Sequence, residues 1–254
     1  MAVSDGGKEM TFWDHLDELR GTIIRSVVAI CIFAVAGLAF KNLLFRIVLA
    51  PTRPDFCIYR WLGWDFSMTL INVEVSAQFF VHLRAAAIAG VVIAFPFIIY
   101  QLWKFIAPAL YSNEIGPVRK AFLMSSGLFY LGVLVGYFFV LPVCLQFFLN
   151  YNVSDTVTNS ITLSSYMSLF TSMVLMIGLV FEFPTVVLLL ARVGVLGRSI
   201  LRKGRKYALV VIMVLSALIT PSDPFSMLVL TVPLYGLYEL SILCCPPEKK
   251  DTDR

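Results

Sequence analysis

Apolar residues run in long stretches along this chain, and short polar stretches separate them. Six apolar segments stand out, at residues 23–40, 79–100, 121–149, 166–191, 207–219 and 225–245. A helix needs about 20 residues to cross the roughly 30 Å hydrocarbon core of a bilayer, and the first four segments are about that long. The pattern therefore predicts an all-α integral membrane protein, a single polytopic domain of six transmembrane helices.

Lysine and arginine predict the orientation of these spans, since six spans place both termini on one side. The connections on that side hold fifteen of the 20 basic residues, those on the opposite side hold four, and Arg84 lies inside the second span. Such an excess marks the cytoplasmic side. We therefore expect both termini in the cytoplasm, with residues 1–22 as an amphipathic segment and residues 246–254 as a tail.

The last two spans are predicted to be short. The fifth has 13 residues between Lys206 and Thr220, and the sixth has 14 between Pro224 and Glu239. Short spans either thin the bilayer beside them or rely on flanking side chains that snorkel to the interface, and both interpretations stay open.

The composition narrows the possible functions. Hydrophobic residues make up 59% of the chain and charged residues only 14%, whereas a soluble domain carries about 25% charged residues. The net charge of +4 comes from membrane flanks and not from a nucleic-acid-binding face. HExxH and GxSxG motifs and metal-ligand spacings are absent, so we expect no enzymatic activity, metal or cofactor. No role is assigned to Cys244 or Cys245.

One carboxylate, Glu182, lies inside the fourth apolar segment, two residues before Pro184. A lone carboxylate in hydrocarbon is costly and is expected to be largely neutral, because desolvation disfavours its charged form. We expect it to face a concave, partly wet surface and to contact a partner helix or an inserted peptide. A packing role with an internal partner near a Pro184 kink is the alternative.

Acidic residues on the predicted cytoplasmic side suggest a binding site for cations. Residues 11–20 read as a short amphipathic helix whose polar side carries Asp14, Asp17 and Glu18. A helix that only rests on anionic lipid would present lysine and arginine instead. Glu114 lies in the next loop on the same side. Two such carboxylates suit two guanidinium groups, because each accepts a charge-assisted, often bidentate pair.

Two further patterns concern the spans and their connections. The loop at residues 41–78 is long and rich in proline and tryptophan, so we expect an ordered loop, with Trp61 and Trp64 at the outer interface. Gly132 and Gly136 form a GxxxG pair, which permits close helix contact, and we interpret it as internal packing and not as a dimer interface.

Four motifs follow one another along the chain: HLDELR (15–20), FIAPALY (105–111) followed by Glu114, FEFP (181–184) and TPSD (220–223). In this order they resemble the TatC family, the multispanning receptor subunit of the twin-arginine protein translocase. The resemblance runs from about residue 10 to about residue 243.

The resemblance implies a cup-shaped bundle in the bacterial cytoplasmic (inner) membrane. It implies a protein that recognises signal peptides with two consecutive arginines, assembles in multiple copies with single-span TatA/TatB-type partners, and exports folded proteins using the proton-motive force. By position, it assigns signal-peptide binding to Glu18, Glu114 and Arg20, intramembrane polar contacts to Glu182, Thr220 and Asp223, and a structural role in the outer loop to Pro51.

One residue departs from the family pattern. Met227 stands where some members have a polar glutamine, which weakens the case for a polar cluster on spans five and six that binds a partner helix. A proton- or ion-coupled small-solute transporter that uses Glu182 and Asp223 is the alternative function. It explains the intramembrane carboxylate, but it explains neither the acidic cytoplasmic residues nor the lack of an internal repeat.

Overall fold

The computed structural model describes residues 12–106, 115–151, 154, 160–192, 197–220 and 223–245. Regular structure in these ranges is almost entirely helical. The helices are α1 (Phe12–Ala39), α2 (Lys41–Val48), α3 (Cys57–Leu62), α4 (Ala77–Ile106), α5 (Ile115–Val135), α6 (Leu141–Asn150), α7 (Leu163–Phe170), α8 (Ile177–Val180), α9 (Phe183–Arg192), α10 (Arg198–Lys203), α11 (Arg205–Ile219) and α12 (Pro224–Cys244). The short strands are β1 (Leu70–Ile71) and β2 (Ile161–Thr162), and a 3₁₀ turn covers Ala50–Thr52.

Five helical stretches in the described ranges are long and apolar enough to cross a membrane. They match the predicted spans one, two, three, four and six, and they are His15–Ala39, Ala77–Ile106, Met124–Asn150, Leu163–Ala191 and Pro224–Leu243. Span three joins α5 to α6 through a π-helical turn at Gly136–Val140, and span four joins α7 to α8 through another at Thr171–Met176. The predicted all-α membrane fold is confirmed.

The start of the chain differs from the expectation of a separate amphipathic segment followed by span one. Helix α1 runs without interruption for 28 residues, through Gly21 and Thr22 at the expected junction. A helix that has already nucleated gains a hydrogen bond with each added residue, so one glycine does not stop it. The acidic residues before Gly21 are therefore fixed rigidly to span one.

The last two spans differ from each other in length. Helix α11 has 15 residues, about 22 Å of helix, and is short as predicted. Helix α12 has 21 residues and is not short. It continues past Glu239, since glutamate is a good helix former and does not end a helix, and the carboxylate of Glu239 forms an ion pair with Arg205 at an N–O distance of 2.8 Å.

Spans three and four pack closely at two glycines of span three. A Cβ on Gly136 would overlap the carbonyl oxygen of Met173, and a Cβ on Gly132 would lie 2.7 Å from the Phe181 side chain. Only glycine permits this approach, which is how helices associate in hydrocarbon. The GxxxG pair therefore packs inside the chain, as predicted.

The loop after span one is ordered, as predicted. It contains α2, the 3₁₀ turn, α3 and β1, and β1 pairs in parallel with β2, which precedes span four. The buried Tyr59 hydroxyl donates to the carbonyl oxygen of Pro51 at 2.9 Å, and burial raises the pKa of Tyr59. The Tyr166 hydroxyl of span four donates to the carbonyl oxygen of Val48 at 2.6 Å. Pro51 is thus a buried part of a fold that ties the loop to the spans.

Replacing Gly136 with alanine should destabilise the protein by about 1–3 kcal/mol, because the added methyl group meets backbone that cannot rotate away. Gly127→Ala in the same span is the matched control, since a Cβ there meets no atom within 4 Å. Thermal unfolding in mild detergent measures both. Equal melting temperatures for the two variants would contradict this account of the contact.

The bilayer should be thinner beside α11 than beside α12. Labels belong at exposed positions, such as Val211 in α11 and Val232 in α12, which are 56% and 74% exposed. Spin labels stepped along each helix in nanodiscs should show an oxygen-accessible stretch of about 22 Å on α11 and about 30 Å on α12. A stretch of about 30 Å on both helices would rule thinning out.

Candidate functional site

The beginning of α1 packs against the end of α4. The ring of His15 stacks on Phe105 with ring centroids 4.3 Å apart, and Arg25 Nη1 donates to Gln101 Oε1 at 3.4 Å. Both contacts lie at the end of the spans where α1 begins and α4 ends. They hold the acidic first turns of α1 beside the last turns of span two, next to the start of the loop that carries Glu114.

Glu18 is half-buried in this region, and its oxygen Oε2 is buried without a hydrogen-bond partner among the described residues. Asp17 and Arg20 on the same helix are exposed. Glu114 lies outside the described residues, which resume at Ile115 at the start of α5. The pairing of Glu18 with Glu114 therefore stays a prediction, while Glu18 itself presents a carboxylate oxygen that lacks a donor. Such an oxygen is a strong acceptor for a cationic group.

Glu182 lies at a break in span four, as the position of Pro184 predicts. Helix α8 ends at Val180, α9 begins at Phe183, and the two residues between them form a turn. The Glu182 amide donates to the carbonyl of Leu179 at 3.1 Å, a tighter pattern than that of an α-helix. Pro184 has no amide hydrogen, so it cannot continue the hydrogen bonding of the helix backbone. The break turns the carboxyl group toward α5.

Ser125 of α5 is fully buried, and its hydroxyl donates to Glu182 Oε2. Thr185 and the backbone of Phe129 also lie close to the carboxyl group, but Oε1 is buried without a partner of good hydrogen-bond geometry in the described chain. The structure thus gives Glu182 an internal partner, which was the alternative interpretation, and leaves its second oxygen buried without a well-formed hydrogen bond among the described residues. No sequence pattern singles out Ser125, because its role depends on how two distant spans pack.

Thr220 and Asp223 lie at the opposite end of the spans from the termini and serve helix ends there. Asp223 Oδ1 accepts from the Ser226 amide at 2.6 Å and so caps α12. The Thr220 hydroxyl donates to the carbonyl of Ser216 at 3.0 Å. None of the described contacts joins these residues to Glu182. The three polar residues assigned to intramembrane contacts therefore form two separate sites.

His82 and Arg84, two residues apart in span two, have different neighbours. The His82 ring packs near Phe45 with centroids 5.5 Å apart, whereas Arg84 Nη1 donates to Ser168 Oγ at 2.9 Å. Two positions along a helix are about 200° apart, so the side chains point to different neighbours. Within the described ranges, no group of three or more His, Cys, Asp or Glu residues has the geometry of a metal site.

Comparison with known proteins adds independent information. Residues 14–233 match the family model described as Sec-independent protein translocase protein (TatC). A protein of that name from Blattabacterium sp. subsp. Periplaneta americana (strain BPLAN) is 35% identical over 250 residues, which cover 92% of this chain and 94% of the relative. Its counterpart from Escherichia coli (strain K12) is 32% identical over 242 residues, 95% of this chain and 89% of the relative.

Solved structures agree with these sequence matches. A crystal structure of the twin arginine translocase receptor TatC is 33% identical to this chain and superposes with a TM-score of 0.75. The alignment covers 90% of this chain and 96% of the other. The similarity therefore extends over nearly the whole fold and is not confined to the site.

Proposed function

Because this chain belongs to the TatC family of Sec-independent protein translocase proteins, we propose that Glu18 and Glu114 bind the two arginines of a twin-arginine signal peptide. The protein is a subunit of the Sec-independent translocase and a membrane protein with several spans. The transporter alternative is not favoured.

The observation that carries the proposal is the buried oxygen of Glu18, which has no hydrogen-bond partner among the described residues. A buried carboxylate oxygen without a donor costs free energy until a donor arrives. An arginine guanidinium supplies two parallel N–H donors and a charge. The stacking of His15 on Phe105 holds Glu18 in place before a peptide binds. Less side-chain ordering is then needed on binding, which favours affinity.

Glu114 supplies the second carboxylate in this proposal, and Arg20 lies at the edge of the site. Glu114 directly precedes α5, and its loop starts beside the His15–Phe105 contact. The exposed Arg20 carries the same charge as the peptide arginines. It therefore repels a peptide guanidinium that is not aligned with Glu18 or Glu114. Asp17 is exposed on the same helix and has no assigned role in binding.

Further parts of the proposal follow from family membership. The protein resides in the bacterial inner membrane with both termini in the cytoplasm, where the excess of lysine and arginine lies. It assembles with single-span TatA/TatB-type subunits in a complex of several copies. That complex exports folded proteins using the proton-motive force.

Glu182 has a different role in this proposal. Its Oε2 is held by Ser125, and Oε1, which is buried and lacks a hydrogen-bond partner among the described residues, is the oxygen that we assign to a polar group of a partner helix or of the inserted signal peptide. A neutral carboxyl group can still donate or accept one hydrogen bond across a helix interface, which contributes on the order of 1 kcal/mol in membranes. Glu182 therefore makes a contact during translocation and does not carry protons.

Replacing Glu18 or Glu114 with alanine should weaken the binding of a twin-arginine peptide by roughly 1.5–3 kcal/mol, because each substitution removes a charge-assisted contact. Asp17→Ala, an exposed carboxylate one residue from Glu18, is the matched control and should change binding by less than about 0.5 kcal/mol. Photocrosslinking to a labelled peptide measures all three. Unchanged crosslinking in both Glu18→Ala and Glu114→Ala would place the site elsewhere.

Glu182→Gln should retain much of the transport activity, because glutamine keeps the size and hydrogen bonding of the carboxyl group but cannot titrate. Glu182→Ala should lose more. Export of a folded reporter protein measures transport, and co-purification of the small subunits controls for assembly. If the glutamine variant assembles normally yet transports no better than the alanine variant, a proton-carrying role replaces the contact role.

A further inference from the structure

Arg84 is a cation inside a membrane span, separate from the residues assigned to peptide binding. It lies seven residues after Ala77, the first residue of α4, which is about 10 Å along the helix axis. Its side chain is exposed, as are the neighbouring Phe80 and Leu83, at 60% and 46%. Charged residues in spans normally face the bundle interior. Arg84 faces outward.

Among the charged side chains of the described spans, Glu239 has an oppositely charged partner, Arg205, whereas Glu182 accepts from Ser125 and Arg25 donates to the neutral amide of Gln101. The partner of Arg84 is the neutral hydroxyl of Ser168, 2.9 Å from Nη1. No carboxylate in the described part of the chain forms an ion pair with it. Within the described residues, its charge is therefore not compensated by a carboxylate.

The direction of the side chain indicates where the compensating charge lies. Helical side chains lean toward the N-terminal end of their helix. The N-terminal end of α4 is at the membrane surface opposite the chain termini. The aliphatic part of the Arg84 side chain therefore extends toward the lipid headgroups at that surface, which is the direction that a snorkelling arginine takes. Helix α7 begins at the same surface. Its exposed hydroxyl residues Ser165 and Ser168 are three positions apart and share one helix face.

Two anions suit such a site: a carboxylate on another protein's helix, and a lipid phosphate. A carboxylate would itself have to be buried at this depth, and desolvating a second charge offsets most of the gain. A phosphate already resides at the interface that the arginine reaches toward. Arginine also matches phosphate oxygens bidentately, with hydroxyl groups able to donate beside it. The exposed Phe80 and Leu83 leave apolar surface for acyl chains.

We propose that Arg84, with the hydroxyl groups of Ser165 and Ser168, binds the phosphate group of a phospholipid in the leaflet opposite the chain termini. The bound lipid compensates the charge of Arg84 and contacts spans two and four at once, where Arg84 and Ser168 already join them.

A photoreactive phosphatidylglycerol with a diazirine near its glycerol backbone tests this in nanodiscs that hold the full chain. Peptide mapping should find labelled residues within 79–84 and 163–168. Arg84→Gln should reduce that labelling about tenfold. Arg46→Gln removes an exposed arginine of α2 on the same side and is the matched control, which should leave the labelling unchanged. A diacylglycerol with the same diazirine lacks phosphate and should label the unmodified protein several-fold less.

Two milder variants keep the test decisive if Arg84→Gln does not fold. Arg84→Lys keeps the charge but loses the bidentate geometry, and Ser168→Ala removes the hydroxyl that orients the guanidinium. Each should reduce labelling about threefold. Labelling that is equal in all folded variants, or equal for the phospholipid and the diacylglycerol, would overturn the proposal. So would an acidic protein helix found crosslinked at position 84 in native membranes in place of lipid.

Discussion

The close approach of spans three and four is the contact on which the rest of the structure depends. In hydrocarbon, apolar side chains gain little by leaving lipid for each other, so helices associate where small residues let backbones meet. Gly132 and Gly136 provide such a surface, and Gly178 faces it from span four, where a Cβ would lie 2.7 Å from Val133. This contact between spans three and four places Glu182 beside Ser125. The buried carboxyl group, which is unfavourable by itself, then accepts a hydrogen bond from the Ser125 hydroxyl.

The region where α1 begins is subject to a different constraint, because its charged side chains remain near water. A rigid α1, stacked through His15 on Phe105, carries Glu18 at the edge of the membrane. A receptor for arginine needs a carboxylate that is fixed in position and partly desolvated, since a fully solvated one gains little from a new ion pair. Glu18 meets this requirement, while the neighbouring Asp17 is exposed and does not.

The sequence predicts the features that depend on local pattern. Apolar run length identifies the spans, the spacing of Gly132 and Gly136 identifies the tight contact, and Pro184 identifies the break beside Glu182. It also indicates that the loop around Pro51 is ordered. These inferences succeed because they rest on local constraints that tertiary contacts do not remove. A span must be long enough to cross the bilayer, and a proline lacks the amide hydrogen that a helix needs.

The features that the sequence does not predict depend on contacts between distant residues. Glu239 of α12 pairs with Arg205, 34 positions away, the internal partner of Glu182 is a serine 57 positions away, and Arg84 turns to Ser168, 84 positions away, and not to His82. The continuity of α1 is a subtler case, because a glycine at a polar boundary resembles a helix end. Only packing decides each of these.

The most direct test of the account is the affinity of the purified, unmodified protein for two signal peptides that differ only at the paired arginines. One peptide carries Arg-Arg and the other Lys-Lys, so their charges are equal and only the planar, bidentate geometry differs. Titration in detergent should show the arginine peptide binding about tenfold more tightly or better, which corresponds to about 1.4 kcal/mol. Equal affinities would contradict recognition by paired carboxylates and would remove the basis for placing the receptor site at Glu18.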